Sequence, residues 1–352
     1  MSHVILILLP ALLWATQTTA APQRPVNTYS IVAYDPVAGQ IGVAAQSHWF
    51  CVGCTVTWAE AGVGAVATQS FIDPSYGALG LDIMRAGRDA PDALRGLLTA
   101  DDHREIRQIG MIDAQGQSAA WTGDDNIQAA GHVVGATDTA SGADLPDRGV
   151  FAAGEIYAVQ ANLMDSESVW PGMARAFEDS KGDLAERMLA ALEVAQRAGG
   201  DSRGRQSAAL IVVGDTPTSE STAGRVFDLR VDDNPRPLSE LRRLLTLARA
   251  YRHMNAGDLA IERADNQAAL RAYSRAAQLV ADEPGITSDR QAEMLYWHAV
   301  ALVNMRCVDE SLPLFRRAFA LHDPWREITP RLAEAGLLPD KPALLRQIDS
   351  VK

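Results

Sequence analysis

Residues 28–47 read TYSIVAYDPVAGQIGVAAQS, and the reading of this stretch sets the fold. YSIVAYD and QIGVAAQS are two short runs of β-branched, aromatic and small apolar side chains, and PVAG between them supplies the proline and glycine that a tight turn needs. The segment from Tyr29 to Ala44 is therefore predicted as a β-hairpin. Thr28 stands at its head, a small hydroxyl residue at the start of the first strand, and Ser30, two residues on, shares its face.

Working outward, CTVTWAEAG and VGAVATQS are strand-like and meet at Gly62 and Gly64. From Tyr76 to Leu98 the period changes: Leu79, Ile83, Met84, Ala90, Leu94 and Leu97 recur at three- and four-residue spacing, which predicts two short amphipathic helices. RQIGMIDAQGQSAAWTG, Arg107 to Gly123, returns to a hairpin with AQG at its turn. Thr137 to Gly149 carries almost no large apolar residue and reads as a loop. A strand is expected over Glu155 to Leu163, and helices over Val169 to Glu178 and Leu184 to Ala198, the latter stopped by Gly199 and Gly200. Ser207 to Val213, SAALIVV, is continuously apolar after its first residue and reads as a buried strand. Alternating blocks of strands and helices give an α+β fold of sheets with helices outside them.

After Val231 the composition shifts. DDNPRP is a polar linker, and helical periodicity follows over Leu241 to Met254, Asp258 to Val280, Ser288 to Met305 and Val308 to Leu321. GDLAIERADNQAALRAYSRAAQLVADEPG and YWHAVALVNMRCVDESLPLFRRAFALHDP share a grammar of acidic, small, leucine and aromatic positions, that of a tetratricopeptide-like helical hairpin. Two such units are short for a freestanding solenoid, so this all-α domain is expected to pack on the first. The division is then 1–21 signal, 22–27 leader, 28–231 α+β domain, 232–237 linker and 238–352 helical domain.

Upstream, Val4 to Ala15 form the apolar block VILILLPALLWA, followed by TQTTAA. The block is too short to span a bilayer and matches a secretory signal cut after Ala20 or Ala21, although only His3 precedes it and an uncleaved anchor is the alternative. The expectation is an exported protein, periplasmic or secreted, without a stable membrane span after signal removal. A formal net charge of -12 argues against a nucleic-acid partner, because acidic protein repels the phosphate backbone. Three cysteines exclude a disulfide-framework scaffold. Cys51 and Cys54 form CVGC and are read as core cysteines or an adventitious disulfide ahead of a redox site, and they lack the second ligand pair zinc would need. The histidines are scattered without metal spacing, and no metal or cofactor is expected.

The segment richest in chemistry is AGGDSRGRQSAALIVV, Ala198 to Val213, where a helix ends, a turn presents Asp201, Ser202, Arg203, Arg205, Gln206 and Ser207, and a buried strand begins. The bland reading is a helix stop followed by a solvated turn whose charges pair weakly. A serine–histidine reading of Ser47 and His48 is disfavoured, since neighbours on a strand face opposite ways.

TYSIVAYDPVAGQIGVAAQS, AGVGAVATQSFIDPSYGALGLDIMRAG, RQIGMIDAQGQSAAWTG, YAVQANLM and GGDSRGRQSAALIVV are similar, in this order, to the domain family DUF1028, which is grouped with the N-terminal nucleophile (Ntn) hydrolases. The resemblance covers Thr28 to about Val231. It implies a four-layer αββα sandwich in which Thr28 attacks an amide carbonyl. Its own α-amine, with a reference pKa near ~8, would serve as the base. It further implies that Asp201 orients the amine and Ser207 relays a proton or positions water. Arg203 and Arg205, with Gln206 beside them, would hold substrate by its carboxylate. Amides near Ser47, or the side chain of Asn162, would form an oxyanion hole.

Two departures stand out. Signal cleavage leaves residues ahead of Thr28, so the Asn27–Thr28 bond needs a second cut, and no lysine occurs before Lys181 to match the one that proteasome-like members keep. Helices similar to 238–348 accompany this domain in some members and have been labelled peptidoglycan-binding. The expected function is thus an exported Ntn-type amidohydrolase acting on an amide or peptide-like substrate. The alternative is a catalytically silent domain whose helical tail binds a partner or cell-wall peptide. Ser30 is a second candidate nucleophile. A homo-oligomer is left open.

Overall fold

The structure is a computed structural model that describes residues 25–135, 149–217, 224–281 and 283–351. The signal segment, the first residues of the leader and all but the end of the 137–149 loop lie outside the described residues.

Two antiparallel sheets carry the first domain. The opening hairpin forms as read, with β1 (Thr28–Asp35) paired to β2 (Gln40–Ser47) in a register that sets Thr28 opposite Ser47. Next along the chain come a single turn of helix, α1 (Val52–Thr55), then β3 (Thr57–Glu60), β4 (Gly64–Ser70) and the helices α2 (Ser75–Arg85) and α3 (Ala90–Ala100). The second predicted hairpin is β5 (Arg107–Asp113) and β6 (Gln117–Gly123). Strands β7 (Gly131–Val134), β8 (Gly149–Glu155) and β9 (Tyr157–Ala161) precede helices α4 (Val169–Asp179) and α5 (Leu184–Arg197), and β10 (Ser207–Gly214) and β11 (Arg225–Val231) close the domain. One sheet runs β11-β10-β2-β1-β9-β7 and the other β3-β4-β5-β6-β8. Strands β7, β8 and β11 were not expected; β7 and β8 flank a small-residue segment, and β11 alternates charged with apolar residues at a sheet edge.

Strand alternation sorts the core into three apolar clusters. Tyr29, Ile31 and Ala33 pack with Met173 and Phe177 of α4 and Met188 and Leu192 of α5. The opposite face of the same strands supplies Val32, Val43, Ala45 and Ile211, which meet Ala65, Ala67 and Ile112 of the second sheet. The far face of that sheet packs Val66, Ile109 and Trp121 against Leu81, Leu94 and Leu98 of α2 and α3. Thr28 and Ser30 share the inner face with Val32, because side chains alternate along a strand.

The helical region comprises α6 (Pro237–Glu262), α7 (Asn266–Ala281), α8 (Ser288–Asn304), α9 (Val308–Leu321), α10 (Pro324–Glu334) and α11 (Pro342–Asp349). The expected helix beginning at Asp258 is corrected here: α6 runs on to Glu262, and the break falls at Ala264, whose left-handed φ of 58° reverses the chain. Arg306, at φ 67°, does the same between α8 and α9. The linker is no free tether. Leu238, Leu241 and Leu245 of α6 enter the cluster beneath β1 and α5, and Arg242 and Arg249 pair with Glu186 on α5. No helix among the described residues is long and apolar enough to cross a membrane.

Candidate functional site

Residues 25–27 lie against the end of β4 in the second sheet. The Val26 amide donates to the Ser70 carbonyl at 2.7 Å and the Ser70 amide to the Val26 carbonyl at 2.9 Å, an isolated antiparallel bridge just ahead of β1. Ser70 accommodates it with a left-handed φ of 70°. As a result Asn27 is 1% exposed and Thr28 0%.

The carbonyl oxygen of Asn27 accepts two side-chain hydrogen bonds, one from the Ser47 hydroxyl and one from Arg203 Nη2 at 2.8 Å. Strand pairing brings Ser47 there, since it faces Thr28 across β1 and β2. Asp201 aims the arginine: Nε donates to its Oδ1 at 3.0 Å and Nη2 to its Oδ2 at 2.7 Å, a fork that fixes the guanidinium plane. The carboxylate is itself buried and accepts the backbone amides of His48 and Arg203, both at 3.0 Å. A carbonyl held by one hydroxyl and one cation is polarised toward nucleophilic attack, and the same donors would stabilise the oxyanion that attack creates. The Thr28 hydroxyl donates to the Val26 carbonyl at 3.1 Å.

Thr28, Ser47, Asp201 and Arg203 are thus brought together, although Asp201 and Arg203 take other duties than expected. Asp201 orients Arg203, and the arginine's fork is closed on Asp201, so it is not open to a substrate carboxylate. Ser207 is not brought to Thr28. It pairs with the far side of Ser47, and its hydroxyl donates to the Trp49 carbonyl and accepts the Val52 amide at 3.0 Å, which ties down the loop after β2. Two strand spacings of about 4.8 Å separate β10 from β1, beyond a proton relay. Gln206 donates through Nε2 to Asp233 Oδ1 at 3.1 Å, and Arg205 is exposed beside Gln196 and Arg236, so neither lines the Asn27 carbonyl. Asn162 borders Thr28 through its backbone, donating to the Thr28 carbonyl at 3.2 Å, while its Nδ2 is spent on Gln108 Oε1 at 2.8 Å. The His48 amide, not its ring, serves the site.

Beneath Thr28 lies a buried polar network that sequence reading missed. Gln69 Nε2 donates to the Thr28 carbonyl at 2.9 Å and to Gln108 Oε1 at 2.7 Å. Gln108 Nε2 donates to Thr122 Oγ1 and to the Ala161 carbonyl, each at 2.9 Å. Ser30 donates to Gln69 Oε1 at 2.6 Å and accepts from Gln160 Nε2 at 2.7 Å, so it is a brace and not a nucleophile poised for attack. Gly110 makes room for Gln160: a Cβ there would sit 2.4 Å from Gln160 Oε1. The available signal was a glutamine whose neighbours on the same strand face are all apolar or glycine, in each of GAVATQS, RQIGMID and YAVQA. Thr122 Oγ1 accepts from Gln108 Nε2 and is hydrogen-bonded to His132 Nδ1 at 2.8 Å; burial pushes the His132 pKa down to about 4.

Cys51 and Cys54 form a disulfide with a Cα separation of 5.4 Å. Together with Asp232 they are the one group of potential metal ligands among the described residues, and sulfurs bonded to each other offer no thiolate, so that group does not suit a metal.

The chain belongs to DUF1028, a family of unknown function, whose model matches residues 28–153 and 133–241. The match begins at Thr28 and runs into α6. A crystal structure of a protein from Silicibacter pomeroyi, also assigned to DUF1028, is similar with 30% sequence identity and a TM-score of 0.51, covering 63% of this chain and 89% of that one. No curated protein matches.

Proposed function

We propose that this is an exported Ntn-type amidohydrolase acting on a peptide-like amide, with Thr28 as the nucleophile once the Asn27–Thr28 bond is cut. The observation that carries the reading is the Asn27 carbonyl itself, the acyl group joined to Thr28, held between Ser47 and Arg203. The three core clusters read as four layers, helix, sheet, sheet and helix, with Thr28 on the inner face.

With the leader in place Thr28 is sealed from substrate. After the cut, the Thr28 hydroxyl attacks the substrate's amide carbon, and the α-amine takes the hydroxyl proton and passes it to the leaving nitrogen. Water then hydrolyses the ester on Thr28. Arg203, whose Nη2 lies 2.8 Å from the Asn27 carbonyl oxygen, takes over the electrostatic duty of the lysine that proteasome-like members keep. The pairing of Val26 with Ser70 favours an extended peptide as substrate, since main-chain pairing reads backbone before side chain.

A second reading, a silent domain that binds through its tail, draws on the helical hairpins α6–α7 and α8–α9, taken as tetratricopeptide-like, and on a groove of about 500 Å³ between α7, α8 and α9 lined by Gln278, Leu295, His298 and Arg317. Cell-wall peptide is the partner that reading would take. N-terminal sequencing of the mature protein, followed by a screen of peptide amides with wild type and Thr28→Ala, separates the two. Turnover by the Thr28-initiated chain and none by Thr28→Ala is expected; a fully cut chain with no turnover on any amide sinks the enzyme reading.

A further inference from the structure

The Asn27–Thr28 bond is inaccessible, so an attacking group must come from the chain itself. Besides the Ser47 hydroxyl, which is already committed as a donor to the Asn27 oxygen, two groups adjoin the Asn27 carbonyl carbon: the Thr28 hydroxyl and the Asn27 carboxamide. The hydroxyl is engaged, donating to the Val26 carbonyl, and the Val26–Ser70 bridge holds that acceptor in place. The carboxamide is not engaged. Asn27 is 1% exposed, and among the described residues neither its Nδ2 nor its Oδ1 has a hydrogen-bond partner. Buried carboxamides are normally satisfied, and leaving one unpaired raises the energy of the folded state.

We infer that the chain cuts itself at this bond by cyclisation of Asn27. Nδ2 attacks the Asn27 carbonyl carbon, and the bond that forms closes a five-membered imide. The developing oxyanion is held by the Ser47 hydroxyl and the Arg203 guanidinium, already in contact with that oxygen. Collapse breaks the bond to the Thr28 nitrogen, and the proton lost by Nδ2 ends on that nitrogen. No water, oxidant or other co-reactant enters, and a chain beginning at Thr28 with a free α-amine results. The leader departs as a C-terminal succinimide. A ring closed within one residue needs no approach of a second group, which suits a site packed shut. The inference holds whether or not the domain then hydrolyses amides, although it would supply that reading with its terminal amine.

The test is incubation of the purified full chain with its leader intact, following the small fragment and the new terminus by mass spectrometry. Expected for wild type is scission between Asn27 and Thr28, with a leader fragment lighter than the hydrolysed form by one water, or, after ring opening, ending partly in isoasparagine. Asn27→Ala should lose scission to below detection while Thr28→Ala keeps it. The inference is overturned if the wild-type leader ends wholly in ordinary asparagine, if wild type stays intact, or if folded Asn27→Ala cuts at the wild-type rate. The fragment's chemistry is read on wild type, so a folding defect in either variant leaves the test standing, and turnover of an added amide is scored separately.

Discussion

Arg203 donates from Nη2 to the carbonyl oxygen of Asn27 at 2.8 Å while the same guanidinium is forked onto Asp201. One side chain thereby joins a turn between α5 and β10 to the bond ahead of β1, across 176 residues of sequence. Its replacement should be felt twice. Arg203→Met removes an oxyanion donor, and the rate at which the Thr28 terminus appears should drop by about 10²–10³. It also leaves the Asp201 carboxylate buried without a cation. Breaking a buried pair costs about 3–5 kcal/mol, and the partial exposure of Arg203 places the loss toward the lower end. Arg203→Lys restores charge without the fork and should fall between, by intact mass for the cut and urea unfolding for stability.

Gln108 is the hub of the polar layer. Gln108→Leu keeps its bulk but leaves Asn162 Nδ2 without its acceptor and takes one acceptor from Gln69 Nε2, which keeps the Thr28 carbonyl. At about 1–3 kcal/mol for each unsatisfied group, a loss of roughly 3 kcal/mol in chemical unfolding is expected. The same change loosens the amide that grips the Thr28 carbonyl.

His132 should give the fold an acid limb. Its pKa is depressed to about 4 in the folded chain against about 6.5 when unfolded, so the unfolded state binds the extra proton. Its contribution is present in full above about 6.5 and is lost as pH falls from there toward 4. Protonation would place a charge in a site whose burial disfavours it. His132→Gln should flatten the decline of melting temperature over that window, with an effect of up to about 3 kcal/mol at its acid end. An unchanged acid limb in the variant would remove His132 as its source.

The helix α6 belongs to the first domain's core as much as to the tail. Leu241 is fully buried beneath β10 and α5, and Leu241→Ala should cost about 2–5 kcal/mol. Hydrogen exchange should quicken in β10 and α5, whereas Leu344→Ala, in the cluster of α8 to α11, should quicken only the tail.

Elements governed by local periodicity were legible in the sequence. The β1–β2 hairpin, helices α2 to α5 and strand β10 carry their own alternation or turn residues, so burial on one face is written within each segment. Strands β7, β8 and β11 were not, because small or charged residues give an edge strand no apolar stripe and its pairing comes from neighbours. The break at Ala264 was displaced for a related reason: a non-glycine left-handed residue leaves no punctuation.

The sequence alone determined that Thr28 begins the first strand and that Asp201, Arg203 and Ser207 cluster in one turn. The tertiary structure alone decided what they do. Antiparallel pairing of β1 with β2 put Ser47 beside Thr28, and pairing of β2 with β10 carried Ser207 one strand too far. Closure of the two sheets buried Asn27 and set three distant glutamines under Thr28. A site on the inner face of two sheets is made of contacts between strands, and spacing along one chain does not encode which strand lies opposite which.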